Sequence, residues 1–170
     1  MAEKSVRSAA WAAMFVVLAS PLAAEMTATL SAPWDGITVP ADQVCAYRGG
    51  AAPMTPEVAL DGVPMGTTRV VVRYNDYSYP GFDQGGHGIL GFAATAGAMV
   101  LPSVPAETAD LPEGIEQIRM PLAPRPYSRT GAGYLPPCSG GRGHLYGMEI
   151  TAEDAEGTAL EVIRLDMGTY

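Results

Sequence analysis

Thr67-Thr-Arg-Val-Val-Val-Arg-Tyr74 is the clearest strand in this chain, with β-branched Val70, Val71 and Val72 at its centre. The surrounding sequence has the same character. It is rich in Gly (20) and Pro (15) and poor in long amphipathic periods, which points to many short strands joined by turns. Upstream, Thr27–Leu30 reads as a first strand and Trp34–Pro40 as a turn followed by a short extended piece. Gly49–Pro56 is loop, and Glu57–Leu60 is a strand ending at an Asp61-Gly62 turn. Downstream, His87–Ala94 is a second core strand, apolar enough to be buried on both faces. Pro102–Gly114 is loop with one short helical turn from Pro105, and Ile115–Met120 is a strand before the Pro-rich loop Pro121–Pro126. His144–Thr151 and Thr158–Met167 are the last two strands, joined by a polar turn at Glu153–Gly157. The expected fold class is mainly β: an antiparallel β-sandwich with few short helices. No internal repeat or low-complexity block divides it, so residues 25–170 are expected to form a single domain.

The first 24 residues read as an export signal. Lys4 and Arg7 make a short basic region, Ala9–Ala19 is apolar, and Ser20-Pro-Leu-Ala-Ala24 supplies the small residues of a cleavage site after Ala24. Leu22 is an imperfect residue at the −3 position of that site. The apolar run falls short of the about 20 residues needed to span a bilayer. A periplasmic or secreted location is therefore expected. Cleavage leaves 146 residues, with 17 acidic against 8 basic side chains and a net charge of −9. So acidic a chain is repelled by phosphate backbones, which disfavours nucleic acid as a partner, and by anionic membrane surfaces. Any anion site must be built locally from a few donors.

Cys45 and Cys138 are the only cysteines. An even count in an exported protein favours a disulfide, the alternative being two buried thiols that never meet. Reactive-thiol catalysis has less behind it, because no histidine lies close in sequence to Cys45 and nothing near Cys138 would lower its pKa.

The chain's two histidines each adjoin an unusual stretch. His87 ends the glycine turn Asp83-Gln-Gly-Gly-His87, and His144 closes Leu135-Pro-Pro-Cys-Ser-Gly-Gly-Arg-Gly-His144. Alternation places His144, Tyr146, Met148 and Ile150 on one face of their strand, and the two apolar residues mark that face as the core side. Imidazoles beside rigid proline–glycine loops suggest a small pocket for a polar or anionic group. The plain alternative is that both are satisfied core residues at strand ends.

The order of these features resembles the phosphatidylethanolamine-binding protein family, in particular its bacterial Raf-kinase-inhibitor-like branch, over essentially the whole mature chain. Val39-Pro-Ala-Asp-Gln-Val-Cys-Ala-Tyr47 is similar to the family's early Ile-Pro segment. Met54–Thr67 is similar to its Ser-Pro-Pro-Leu-x-Trp followed by Val-Pro-x-Gly-Thr. Tyr74-Asn-Asp-Tyr-Ser-Tyr-Pro80 stands in the place of Asp-Pro-Asp-x-Pro, His87 in that of the histidine of a His-Trp strand, and Leu111-Pro-Glu-Gly114 in that of Leu-Pro-x-Gly. Gly133-Tyr-Leu-Pro-Pro-Cys138 with His144-Leu-Tyr146 resembles Gly-Tyr-x-Gly-Pro-Cys-Pro-Pro leading to His-Arg-Tyr.

The resemblance implies that Asn75, Asp76, His87, Pro136, His144 and Tyr146 surround a small anion cavity. Departures bear on its selectivity. In a gap-free alignment the first motif aspartate falls on Asn75 and the second on Tyr77, leaving Asp76 displaced by one. The motif tryptophan is Gly88, the motif arginine is Leu145, and the family's C-terminal helices are missing.

The expected function is an exported, non-catalytic binding protein for a small anion, phosphate or a phospholipid head group, with no cofactor and no metal. No serine or cysteine stands out as a nucleophile, and neither histidine has local metal-ligand spacing. The second reading is an interaction module such as a protease inhibitor, acting through the loops Tyr77–Gly86 and Pro121–Gly133.

Overall fold

The computed structural model describes residues 25–122 and 125–170. The expected export signal lies outside the described residues. Among the described residues eight strands run in chain order: β1 (Thr27–Leu30), β2 (Val58–Val63), β3 (Arg69–Asp76), β4 (Ile89–Ala93), β5 (Gly97–Leu101), β6 (Ile115–Arg119), β7 (Leu145–Glu153) and β8 (Ala159–Thr169). They form two antiparallel sheets, a three-stranded one ordered β1-β2-β5 and a five-stranded one ordered β6-β4-β3-β7-β8. The sheets share one core. Val58, Leu60, Val63 and Leu101 from the smaller sheet meet Val70, Val72, Leu90, Phe92, Met148 and Ile150 from the larger. The mainly-β sandwich expected from the sequence is the observed architecture. Among the described residues, helical structure is confined to two 3-10 turns, Ala41–Gln43 and Ala46–Arg48.

The centre of the larger sheet is β3, flanked by β4 and β7. Its alternation explains why: Val70, Val72 and Tyr74 enter the core, while Arg69 and Arg73 point to the other face. On that face Arg69 sits opposite Glu153 and Arg73 opposite Glu149, and both pairs are ion-paired across the strands, at 2.5 and 3.2 Å. Such cross-strand pairs add to register already set by the apolar face.

Several boundaries differ from the sequence reading. β3 starts two residues later than expected and runs two residues further, through Asn75 and Asp76, which pair with Gly147 and Tyr146. β2 does not end at Asp61-Gly62. It passes through both with a register irregularity between Leu60 and Val63, and Gly62 takes a φ of +70°, which absorbs the bulge without a Cβ clash. β5 had no counterpart in the sequence reading. Gly97-Ala-Met-Val-Leu101 is short, largely exposed and stopped by Pro102, so its strand character comes from pairing with β2. No helical turn begins at Pro105, which instead forms an isolated bridge with Met54. Asp154–Thr158 is the only connection between β7 and β8, so no C-terminal helix intervenes.

Cys45 and Cys138 are disulfide-bonded, with Cα atoms 5.3 Å apart. Beside the bond, the Cys45 N–H donates to the Pro137 carbonyl at 2.9 Å. Together they tie the 3-10 turns to the loop that precedes β7. A disulfide fits an oxidising extracytoplasmic compartment. Among the described residues, no helix is long and apolar enough to cross a membrane.

The bond closes a loop of 93 residues. Replacing both cysteines by alanine is expected to cost about 2–5 kcal/mol of folding free energy, read from urea denaturation of parent and variant. Equal midpoints and slopes would show that the crosslink contributes nothing to stability.

Candidate functional site

At one end of the larger sheet a cavity of about 210 Å³ opens between the ends of β3 and β7, the glycine turn before β4 and the Leu135–His144 loop. It is smaller than the roughly 300–1,000 Å³ typical of clefts for drug-sized ligands, which suits a small ion or a head group. Asp76, His87, His144 and Tyr146 all line it. Of the six residues proposed from sequence, these four come together.

The other two do not line the cavity. Alternation along β3 decides between Asn75 and Asp76. Asp76 shares its parity with Val70, Val72 and Tyr74, so its carboxylate turns inward, whereas Asn75 faces the opposite side. There Asn75 accepts from the Gly85 N–H at 2.5 Å and donates to the Tyr77 hydroxyl at 3.1 Å. Its amide is spent on holding the glycine turn. The gap-free alignment that put the motif aspartate on Asn75 is one residue away from the carboxylate that occupies the site. Pro136 is buried in the loop behind the wall that Leu135 and Cys138 present.

Asp76 is fully engaged. One carboxylate oxygen accepts from the Ser78 N–H at 2.9 Å, and the other lies 2.7 Å from His144 Nδ1. A carboxylate can only accept here, so Nδ1 carries the proton and Nε2 is the free nitrogen of His144. His144 enters just before β7, where its backbone N–H and C=O pair with Tyr170.

His87 is held differently. Its backbone carbonyl accepts from Leu135 N–H at 2.9 Å and its Nδ1 lies 2.7 Å from the Leu135 carbonyl. That carbonyl is an acceptor, so Nδ1 again carries the proton, and Nε2 presents a lone pair with no partner among the described residues. Burial pushes the His87 imidazole below its usual 6.5, and nearby His144 acts in the same direction. The Leu135 carbonyl, the Asp76 charge and the Pro136 carbonyl oppose them. Gly88 follows with a φ of +110°, and a Cβ there would lie 2.5 Å from the Gly133 carbonyl. A tryptophan at this position is incompatible with the observed backbone.

Tyr146 lies between the two imidazoles, with ring centroids 5.3 Å from His87 and 6.5 Å from His144. Its oxygen accepts the N–H groups of Cys138 and Ser139 at 3.2 and 3.0 Å. Burial raises its pKa, so the phenol remains protonated at neutral pH and keeps that proton to donate.

Sequence reasoning missed the rest of the wall: Arg48, Tyr79, Phe82, Tyr127, Ser139 and Arg142. Tyr79 and Phe82 belong to the loop after β3 and supply an aromatic side. Phe82 packs edge-on against His87 with centroids 5.4 Å apart. Arg142 lay inside the glycine run already singled out, two residues before His144. Arg48 had no local signal. It arrives through the disulfide, three residues after Cys45, and its Nε reaches the Cys138 carbonyl at 3.5 Å. Among the described residues, His, Cys, Asp and Glu nowhere form a group of three able to hold a metal ion.

No protein-family model matches this chain, and no curated protein does.

The burial of His87 generates a pH dependence. The unfolded imidazole takes up a proton near its ordinary value of about 6.5, whereas the folded one resists it, so the unfolded state binds more protons as pH falls below that point. Stability should therefore decrease as pH drops from about 6.5 towards the lowered folded value. Urea denaturation between pH 7 and pH 5 is expected to show this slope, and His87→Gln should flatten it. An unchanged slope in the variant would place the effect elsewhere.

Proposed function

We propose that this chain is an exported, non-catalytic binding protein of the phosphatidylethanolamine-binding-protein type, whose cavity takes a small anion such as phosphate or a phosphorylated head group. The observation that carries this reading is the convergence of His87, His144, Tyr146 and Asp76, drawn from three separate segments, on one small cavity. Polar groups line it: the Tyr146 phenol, His144 with its Nδ1 bonded to Asp76, and the Arg48 and Arg142 guanidinium groups. Charge-assisted hydrogen bonds from such groups are the stronger class. His87 contributes an acceptor, suited to a hydroxyl or ammonium hydrogen on the same ligand.

The disulfide supports an extracytoplasmic setting, and the basic, apolar and small-residue order of residues 1–24 supports export. The non-catalytic part rests on the state of the candidate nucleophile. The Ser139 hydroxyl lines the cavity but donates to the Tyr170 carbonyl at 2.6 Å, with no imidazole bonded to it. The loops considered for a protease inhibitor supply Tyr79, Phe82 and Tyr127 to the cavity wall, which favours the pocket as their use.

Titration with inorganic phosphate is expected to shift the imidazole NMR signals of both His87 and His144. His144→Ala should weaken binding about tenfold or more, the size of one hydrogen bond to a charged group. Silence at both rings would remove the ligand-binding reading.

A further inference from the structure

We propose that the cavity selects doubly charged phosphate monoesters over singly charged diesters, with Arg48 and Arg142 as the residues that decide. The inference rests on the anion reading above and deepens it. Three lining residues other than the histidines carry formal charge: Arg48, Arg142 and Asp76. With both imidazoles neutral the wall carries a net charge of +1, and with His144 protonated, +2. This sits in a chain whose overall charge is −8, so the positive potential is local to the cavity.

The inner groups cannot supply that charge unaided. Asp76 offsets a protonated His144, to which it is bonded at 2.7 Å, and His87 turns a lone pair towards the ligand because its proton is committed to Leu135. A phosphate monoester brings about −1.5 to −2 charges and three terminal oxygens, and guanidinium forks match that geometry. A diester brings one charge and two free oxygens.

Both arginines are available. Arg69, Arg73 and Arg164 are each ion-paired to carboxylates, whereas neither Arg48 nor Arg142 has such a partner among the described residues. Arg48 is nonetheless held in place. Its guanidinium lies 5.0 Å from the Tyr47 ring centroid, and Tyr47 packs edge-on against the Tyr127 ring at 5.2 Å. It also fills the space beside Gly140, where a Cβ would come within 2.7 Å of Arg48 Cζ. A pre-positioned guanidinium loses less freedom on binding than a solvated one.

Methyl phosphate and dimethyl phosphate, which differ by one methyl group and one charge, separate the cases by calorimetry at fixed low ionic strength. The monoester is expected to bind about tenfold or more tightly than the diester, and Arg48→Gln or Arg142→Gln should erase most of that difference. Arg69→Gln, at the far end of β3 from Asp76, removes the same charge and should leave the ratio unchanged. Equal affinities, or a ratio that survives both cavity substitutions, would overturn the inference while leaving the anion reading in place. Binding of neither probe, with unmoved imidazole signals, would overturn both. Vesicles of phosphatidylcholine with and without phosphatidate assign the source. Sedimentation of the protein only with phosphatidate supports a lipid-borne monoester, and binding of methyl phosphate without sedimentation supports a free one.

Discussion

The antiparallel pairing of β3 with β7 is the constraint on which the rest of this molecule depends. It runs unbroken from Arg69 opposite Glu153 to Asp76 opposite Tyr146. At one end it buries Val70 and Val72 against the second sheet, and at the other it brings a carboxylate and a phenol to the cavity. Side chains alternate with a period of two, so a slip by one residue would reverse both outcomes together. Asn75 would then face the cavity and the valines would leave the core. Core packing and site geometry are thus settled by one register.

The second organising element is the Leu135–His144 loop. Its Leu135 carbonyl sets the tautomer of His87, its Cys138 and Ser139 N–H groups hold the Tyr146 oxygen, and Cys138 is bonded to Cys45. Its Leu135–Pro137 half is buried, but Gly140–Gly143 are exposed and have no apolar side chain to fix them. The crosslink, with the Cys45 N–H to Pro137 carbonyl bond, gives it a rigid anchor and brings Arg48 with it. Stability and site geometry therefore share a covalent link, which suits a small domain acting outside the reducing cytoplasm.

Electrostatically, the site combines a neutral interior with a cationic mouth. Asp76 orients His144 through Nδ1, burial disfavours the charged form of His87, and two arginines stand outside that pair. Within an acidic chain such an arrangement concentrates attraction at one place and leaves the rest of the surface repellent to polyanions. The aromatic wall comes from Tyr79 and Phe82, and the positive charge from Arg48 and Arg142.

By itself the sequence determined the sandwich class, most of its strands, and the four side chains Asp76, His87, His144 and Tyr146 as site candidates. The strands and the inward face of His144 and Tyr146 are written in local periodicity, in β-branched runs, turn residues and alternation, whereas Asp76 entered only through the resemblance of Tyr74–Pro80 to a family motif. Only the tertiary structure decided what depends on contacts between distant segments. β5 is a strand because β2 offers it a ladder, and β2 continues through Asp61-Gly62 because Gly62 can take a positive φ there. Asp76 rather than Asn75 faces the cavity because β3 extends two residues beyond its apolar run, carried by pairing with Gly147 and Tyr146. Arg48, 96 positions before His144 (144 − 48), reaches the same site because a disulfide joins its turn to the loop, a proximity no one-dimensional pattern encodes.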